Sequence, residues 1–340
     1  MIIPNVSREE ETIQLAMQYD EQAKKILSYK TILAFIMSKT VTEFKRIPVK
    51  EIVELIEGEV LVSKVPIDSG HTNRLNNERI VGLNTENTET NEGLIRYDIL
   101  FKVRTRKEVK ESYGILINIE MQKSEPTSYD LINRAIFYAC RLVGAQKQRE
   151  FKHMNFNDIV KVYSIWIVAN MESDSVNQIH FTQKTLYGTY KWNCDSDLIN
   201  IVIAGITGEL KEETKEFNIE QIDGKELCRM LNVLFTNELN ARERFQQLSE
   251  NFNIVIDKDL REDVEVMCNL GQGLLERGEA RGEARGEALG EVRGQKKKEI
   301  ENIISFYLDG DSIARLARVM KKSEDEIEQI LCDNNISIDH

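Results

Sequence analysis

This sequence offers little from which to build a disulfide frame or a zinc site. Its five cysteines, Cys140, Cys194, Cys228, Cys268 and Cys332, are odd in number, widely spaced and without a CxxC pair. They read as the reduced thiols of a cytoplasmic protein. The four histidines form no metal-ligand pair either. There is no run of 18 apolar residues and no basic-then-apolar leader, so neither a membrane span nor secretion is expected. A surplus of positive charge is also missing: 45 Lys and Arg against 57 Asp and Glu leave a formal charge of −12. That balance ordinarily argues against nucleic acid as a partner. What is present, 41% hydrophobic and 30% charged residues, suits a packed core and is unlike a disordered chain. The 340 residues allow two domains, or one domain with a helical appendage.

The most informative stretch runs from Arg96 to Gln122. Tyr97, Ile99, Phe101 and Val103 alternate on one side of a first strand, and Ile115, Ile117, Ile119 and Met121 on one side of a second. Period two predicts strands, each with one buried face. The charged segment Arg104 to Ser112 serves as a hairpin connection, so the strands are expected to be antiparallel neighbours. On the opposite face the alternation brings Asp98 close to Glu120 and Gln122, with Leu116 and Asn118 on the same side. Two carboxylates beside a polar side chain can grip a hard divalent cation such as Mg2+ (or Mn2+) through oxygen. Charge is locally inverted here: between Arg96 and Lys152, twelve Lys or Arg stand against seven Asp or Glu. Such a zone can be a phosphate-binding surface or an ordinary solvated face.

Around it the chain alternates between helix and strand. Ser7 to Glu57 has apolar residues at three-to-four spacing, with Pro48 starting a new helix. Glu59 to Val65 reads as a strand and His71 to Glu92 as a polar loop that could sit over the site. After the turn Ser124 to Ser128, a helix from Tyr129 to about Gln146 is expected to bury Leu131, Ile132, Ala135, Ile136, Ala139, Cys140, Leu142 and Val143. Arg134, Tyr138 and Arg141 then stack along its other side. Val160 to Asn170 is the clearest buried strand, and Asn177 to Tyr187 adds an edge. Lys191 to Leu275 is mostly helical in pattern, with one short strand candidate at Leu198 to Ile206.

Asp98, a gap of about twenty residues, then Glu120-Met121-Gln122, with an acidic helical region before and an Arg/Tyr-bearing helix after, resembles the PD-(D/E)XK nuclease superfamily. The likeness is to its branch of nuclease-family transposases and recombination-promoting nucleases. It covers residues 15 to 185 and implies an α/β, restriction-endonuclease-like core of helix, three strands, helix and strand, with an all-helical C-terminal extension. It also implies a Mg2+-dependent DNA endonuclease in which Asp98, Glu120 and the Met121 backbone carbonyl hold the metal and Gln122 orients a water. In the superfamily an acidic residue of a preceding helix supports the site, and Glu51, Glu54 and Glu57 are candidates. Lys102, Lys123, Arg134, Tyr138 and Arg141 would contact DNA phosphate or support the site; the plainer reading of the last three is surface charge with an amphipathic tyrosine. Two departures stand out. Tyr97, not proline, precedes Asp98, and Gln122 replaces the motif lysine, while adjacent Lys123 points to the opposite face. A disabled nuclease fold that binds DNA or protein is the alternative.

Gly278 to Gln295 repeats Arg-Gly-Glu-Ala with period four. It is either a spacer or a marginal helix, since glycine costs about 1 kcal/mol per residue. As a helix it carries a Gly stripe (Gly278, Gly282, Gly286, Gly290, Gly294) beside a Glu stripe that the Arg residues of a second copy would relieve, which points to a homodimer or higher homo-oligomer. The tail from Lys298 predicts three short helices; the first stops at Asp309-Gly310 and the third opens on a capping box of Ser323 and Glu326. The division expected is 1–190 for the nuclease-like domain, 191–275 for a helical extension, 276–298 for the repeat and 299–340 for a helix-turn-helix-like tail.

Overall fold

The computed structural model of the protein describes residues 5–62, 86–89, 93–105, 114–146, 155–190, 197–210 and 219–338. Most of the expected turn from Arg104 to Ser112 and of the polar loop from His71 to Glu92 lies outside them, as does Cys194. The chain folds as mixed α/β in two compact units, Met1–Gly273 and Leu274–His340.

The first unit is built on a six-stranded mixed sheet. In chain order its strands are β1 (Ile56–Val62), β4 (Ile99–Arg104), β5 (Gly114–Gln122), β6 (Lys161–Val168), β7 (Ser175–His180) and β8 (Ile199–Gly205). They lie side by side as β1-β4-β5-β6-β8-β7. The first three pair antiparallel, β5, β6 and β8 pair parallel, and β7 closes the edge antiparallel to β8. Two further strands, β2 (Glu86–Glu89) and β3 (Gly93–Arg96), form a separate hairpin, so the last described residues of the expected polar loop are strand.

Helices cover both faces. On one, α1 (Asn5–Leu27), α2 (Lys30–Thr40), α5 (Ile219–Phe235), α6 (Ala241–Phe252) and the start of α7 (Lys258–Leu308) pack Ile26, Leu27, Ile36, Leu231 and Val264 against Ile99, Phe101, Ile117, Ile119 and Ile165. On the other, α4 (Leu131–Gly144) packs Leu131, Ala135, Tyr138, Ala139 and Leu142 onto Leu100, Leu116, Val162 and Trp166. The short α3 (Val49–Leu55) follows Pro48, which caps it as expected.

Three expectations are corrected here. β5 is buried on both faces as far as Met121, and β4 on its second face at Leu100, because α4 covers the side that was to face solvent; a strand buried twice need not show a polar side. Tyr97 and Ile99 do not share a face. A bend at Asp98 precedes β4, which sends Tyr97 to the α4 side and Ile99 to the α1 side. The core does not end at residue 190 either: β8 is hydrogen-bonded between β6 and β7 and is an inner strand of the sheet.

In the second unit, α7 runs unbroken through the Arg-Gly-Glu-Ala repeat, every residue of which is exposed. Beyond it, Gly310 turns the chain with a φ of +101°, a conformation that glycine adopts without penalty. α8 (Ile313–Met320) and α9 (Glu324–Asp333) then close a small core of Ile303, Leu316, Ala317, Ile327 and Leu331. The capping box of Ser323 and Glu326 forms as expected.

Candidate active site

The antiparallel register pairs Ile99 with Ile119, and one step further sets Asp98 opposite Glu120. The bend that breaks the alternation also turns Asp98 back on β5. Its backbone N–H donates to Glu120 Oε1 (3.2 Å) while its carboxylate Oδ2 accepts from the Met121 N–H (3.0 Å). The two acids are thereby locked into one hydrogen-bonded unit on neighbouring strands. A strand residue's N–H and C=O share an edge, so the Met121 carbonyl lies on the Asp98 side, whereas the Gln122 carbonyl is taken by the Ala169 N–H of the neighbouring segment.

Glu120 is 1% exposed. Burial, then the charge of Asp98, push its carboxyl well above the ordinary carboxylate range, while the Asp98 N–H, Arg134 and Asn118 pull it partly back. Asn118, fully buried, donates from Nδ2 to the same Oε1 (3.3 Å), and its own Oδ1 has no hydrogen-bond partner among the described residues.

A residue that the sequence reading missed completes the unit. Lys24 of α1 places Nζ 3.0 Å from Asp98 Oδ1 and 2.7 Å from Asp20 Oδ2, with a side chain only 9% exposed. Burial alone would lower its ammonium, but Asp98 and Asp20 hold it above its usual value. A signal was present: Asp20 and Lys24 continue the stripe of Ala16, Ala23 and Leu27 at spacings of three and four, so a charged pair sits where α1 turns inward.

No family model, no curated protein and no solved structure matches this chain. Its chemistry has to come from its own residues.

Around the acids, the expected supporting groups separate. Tyr138 and Arg141 are buried and not on an outer edge of α4, whereas Ile132 and Cys140, expected inside, are exposed. The reason is aromatic: the Tyr138 ring meets those of Tyr97 and Trp166 edge to face at 5.4 and 5.3 Å, an arrangement favoured by ring quadrupoles. Arg134 donates to the hydroxyls of Tyr129 and Tyr138 and lies 5.4 Å from the Trp166 ring centre, which brings its charge toward Glu120. Arg141 instead packs on Phe137. Lys102 is four residues up β4 from Asp98, roughly 13 Å away at the rise of a strand. Lys123 is exposed, and its carbonyl accepts from Asn170. Gln122 is half-buried at the end of β5, two residues from Glu120 and on the same face. Of the three supporting glutamates, Glu57 is on β1 and paired with Arg104, while Glu51 and Glu54 are on α3.

Among the described residues no group of three or more His, Cys, Asp or Glu side chains is arranged to hold a metal ion. The donor set here is smaller: two carboxylates and a backbone carbonyl, all oxygen. That matches Mg2+, which is commonly bound through one or two carboxylates with water filling its shell. Beside them the buried Asn118 Oδ1 has no hydrogen-bond partner among the described residues.

Proposed function

We propose that the protein is a Mg2+-dependent DNA endonuclease built on a restriction-endonuclease-like core and similar to the PD-(D/E)XK superfamily. One observation carries this reading: the Asp98 N–H donates to Glu120 while the Asp98 carboxylate holds the Met121 N–H, so two acids and a strand-end carbonyl are prepositioned together. The order of α1, the antiparallel trio β1, β4 and β5, then α4, then β6 parallel to β5 supports it.

In this reading Asp98, Glu120 and the Met121 carbonyl hold the ion. A bound Mg2+ supplies polarisation of the phosphate and acidification of a water. Gln122 orients that water by hydrogen bonding and, as a neutral amide, accepts no proton from it. Arg134, fixed between aromatic rings, carries charge toward the phosphate. The proposal includes a second copy of the chain packed along the exposed repeat of α7, so that two sites serve two strands.

The test is incubation of supercoiled plasmid with and without Mg2+. Nicking that needs the ion and falls at least about a hundredfold in folded Asp98→Ala and Glu120→Ala is expected, the scale on which removing an essential catalytic group acts. Equal cutting by parent and variants would remove these residues from the mechanism. The second reading, a binding scaffold on a disabled nuclease fold, draws on Lys24 as the standing partner of Asp98; it predicts DNA binding without cutting.

A further inference from the structure

The position at which the proposed nuclease resemblance implies a lysine is held by Gln122, which has no charge. The structure has a cation at these acids all the same, and it comes from another element. Lys24 reaches Asp98 from α1, 74 residues earlier in the chain, and is held between Asp98 Oδ1 at 3.0 Å and Asp20 Oδ2 at 2.7 Å. Its partners differ in openness: the Asp20 side chain is 37% exposed and that of Asp98 17%. The ammonium therefore spans from the interior of the site toward its solvent side. Lys102 lies with its side chain against Gly114, and Lys123 is exposed.

The geometry points to Lys24 as the phosphate-binding cation of this site, which in the absence of a divalent ion serves as the counter-ion of Asp98. This rests on the nuclease reading above. An arriving divalent ion needs an oxygen of Asp98, and Oδ2 is already engaged by the Met121 N–H. The oxygen it takes is the one Lys24 holds, so ion and lysine compete for Asp98 Oδ1. Asp20 keeps the displaced ammonium at the mouth of the site, where its donors face an incoming DNA phosphate.

The competition makes a prediction that a merely structural lysine does not. In the full-length protein, Lys24→Gln is expected to bind Ca2+, titrated calorimetrically without DNA, about tenfold more tightly or better, because the ion no longer has to break the Lys24–Asp98 pair, and a unit-charge pair at 3.0 Å is worth about that much even at the dielectric of water. With Ca2+ present, the same variant is expected to bind a labelled DNA duplex more weakly, with the slope of log affinity against log salt reduced by about one, the loss of one phosphate contact. Lys24→Arg keeps the charge and is expected to retain the parental slope.

Unchanged or weaker Ca2+ binding by folded Lys24→Gln, or an unchanged salt slope, overturns the proposal and leaves the nuclease reading standing if the parent still nicks plasmid. Lys24→Met, which preserves the apolar stem, replaces the Gln form if that does not fold; failure of both to fold marks a purely structural residue and overturns it too. A parent that binds no Ca2+ while Lys24→Gln does would show that lysine permanently stands in for metal, as in the scaffold reading. Absence of both Ca2+ binding and cutting in parent and variant alike sinks the nuclease reading, and this inference with it.

Discussion

Glu120 pits stability against a site. Its carboxyl is raised chiefly by burial and next by the charge of Asp98, so the folded protein keeps a proton that the unfolded chain has already released. Stability attached to this group is fully present below the ordinary carboxylate pKa and is lost as pH rises toward the folded value. Glu120→Gln, which needs no proton to be neutral, is expected to stabilise the ion-free protein by about 0.5–2 kcal/mol at neutral pH, the usual yield of one favourable change. Thermal unfolding across pH checks it: the gap between variant and parent should widen with rising pH and close in acid. Gln122 allows a cleaner separation, because it is only half-buried. Gln122→Lys should keep or raise plasmid nicking, and Gln122→Leu should lower it about tenfold or more, since the amide acts by hydrogen bonding. Equal rates for glutamine and leucine would take Gln122 out of the mechanism.

Among the elements, α1 is held in place by a residue of α7. The Asp263 carboxylate accepts from Lys25 Nζ at 2.7 Å and Tyr29 Oη at 2.6 Å, and its backbone carbonyl from Gln22 Nε2 at 2.9 Å. Burial alone would raise the Asp263 carboxyl, but the hydrogen bonds from Lys25, Tyr29 and Gln22 hold it below its ordinary value. The stabilisation it brings is therefore present above the ordinary carboxylate pKa and lost as pH falls through the folded one. Asp263→Ala is expected to cost about 1–3 kcal/mol at neutral pH, the scale of a buried hydrogen-bonded group losing its partners. Its deficit in urea unfolding should shrink in acid. Because Lys24 adjoins Lys25 on the same helix, nicking should drop more than the loss of folded protein explains. Much of this helix was readable in advance, since its apolar spacing is local. Asp263 was not, because 238 residues separate it from Lys25.

For the whole molecule, the decisive fact is where the compact units divide. β8 fills the gap between β6 and β7, and Leu231, Phe245 and Val264 complete the core beyond it. A chain ending at Tyr190 should fail to give a cooperative unfolding transition, whereas one ending at Arg277 should unfold near the parental midpoint and still nick plasmid. Removing residues 278–340 should also lower the mass seen by light scattering. The glycines from Gly278 to Gly294 have nothing within 4 Å of where a Cβ would sit, and each costs a helix about 1 kcal/mol, so a second copy along the stripe would offset what one chain leaves unsupported. Linear product should then fall more than nicked product. An unchanged mass would make the repeat a spacer.

By itself the sequence determined what short-range physics controls. Alternation over Ile99–Val103 and Ile115–Met121 specified two paired strands, and their register carried Asp98 opposite Glu120. Ser323 and Glu326 specified a capping box, because a cap is closed within four residues. Tertiary structure decided the rest. A strand covered on both sides shows no more periodicity than one covered once, so the burial of Glu120 beneath α4, and with it the rise of its pKa, could not be read from β5 alone. Tyr138 turned inward because the rings of Tyr97, just before β4, and of Trp166 on β6 waited for it. Lys24 joined the acids for the same reason: a lysine on an apolar helix stripe announces only that it will be buried, and which carboxylate compensates it is settled when α1 docks on the sheet.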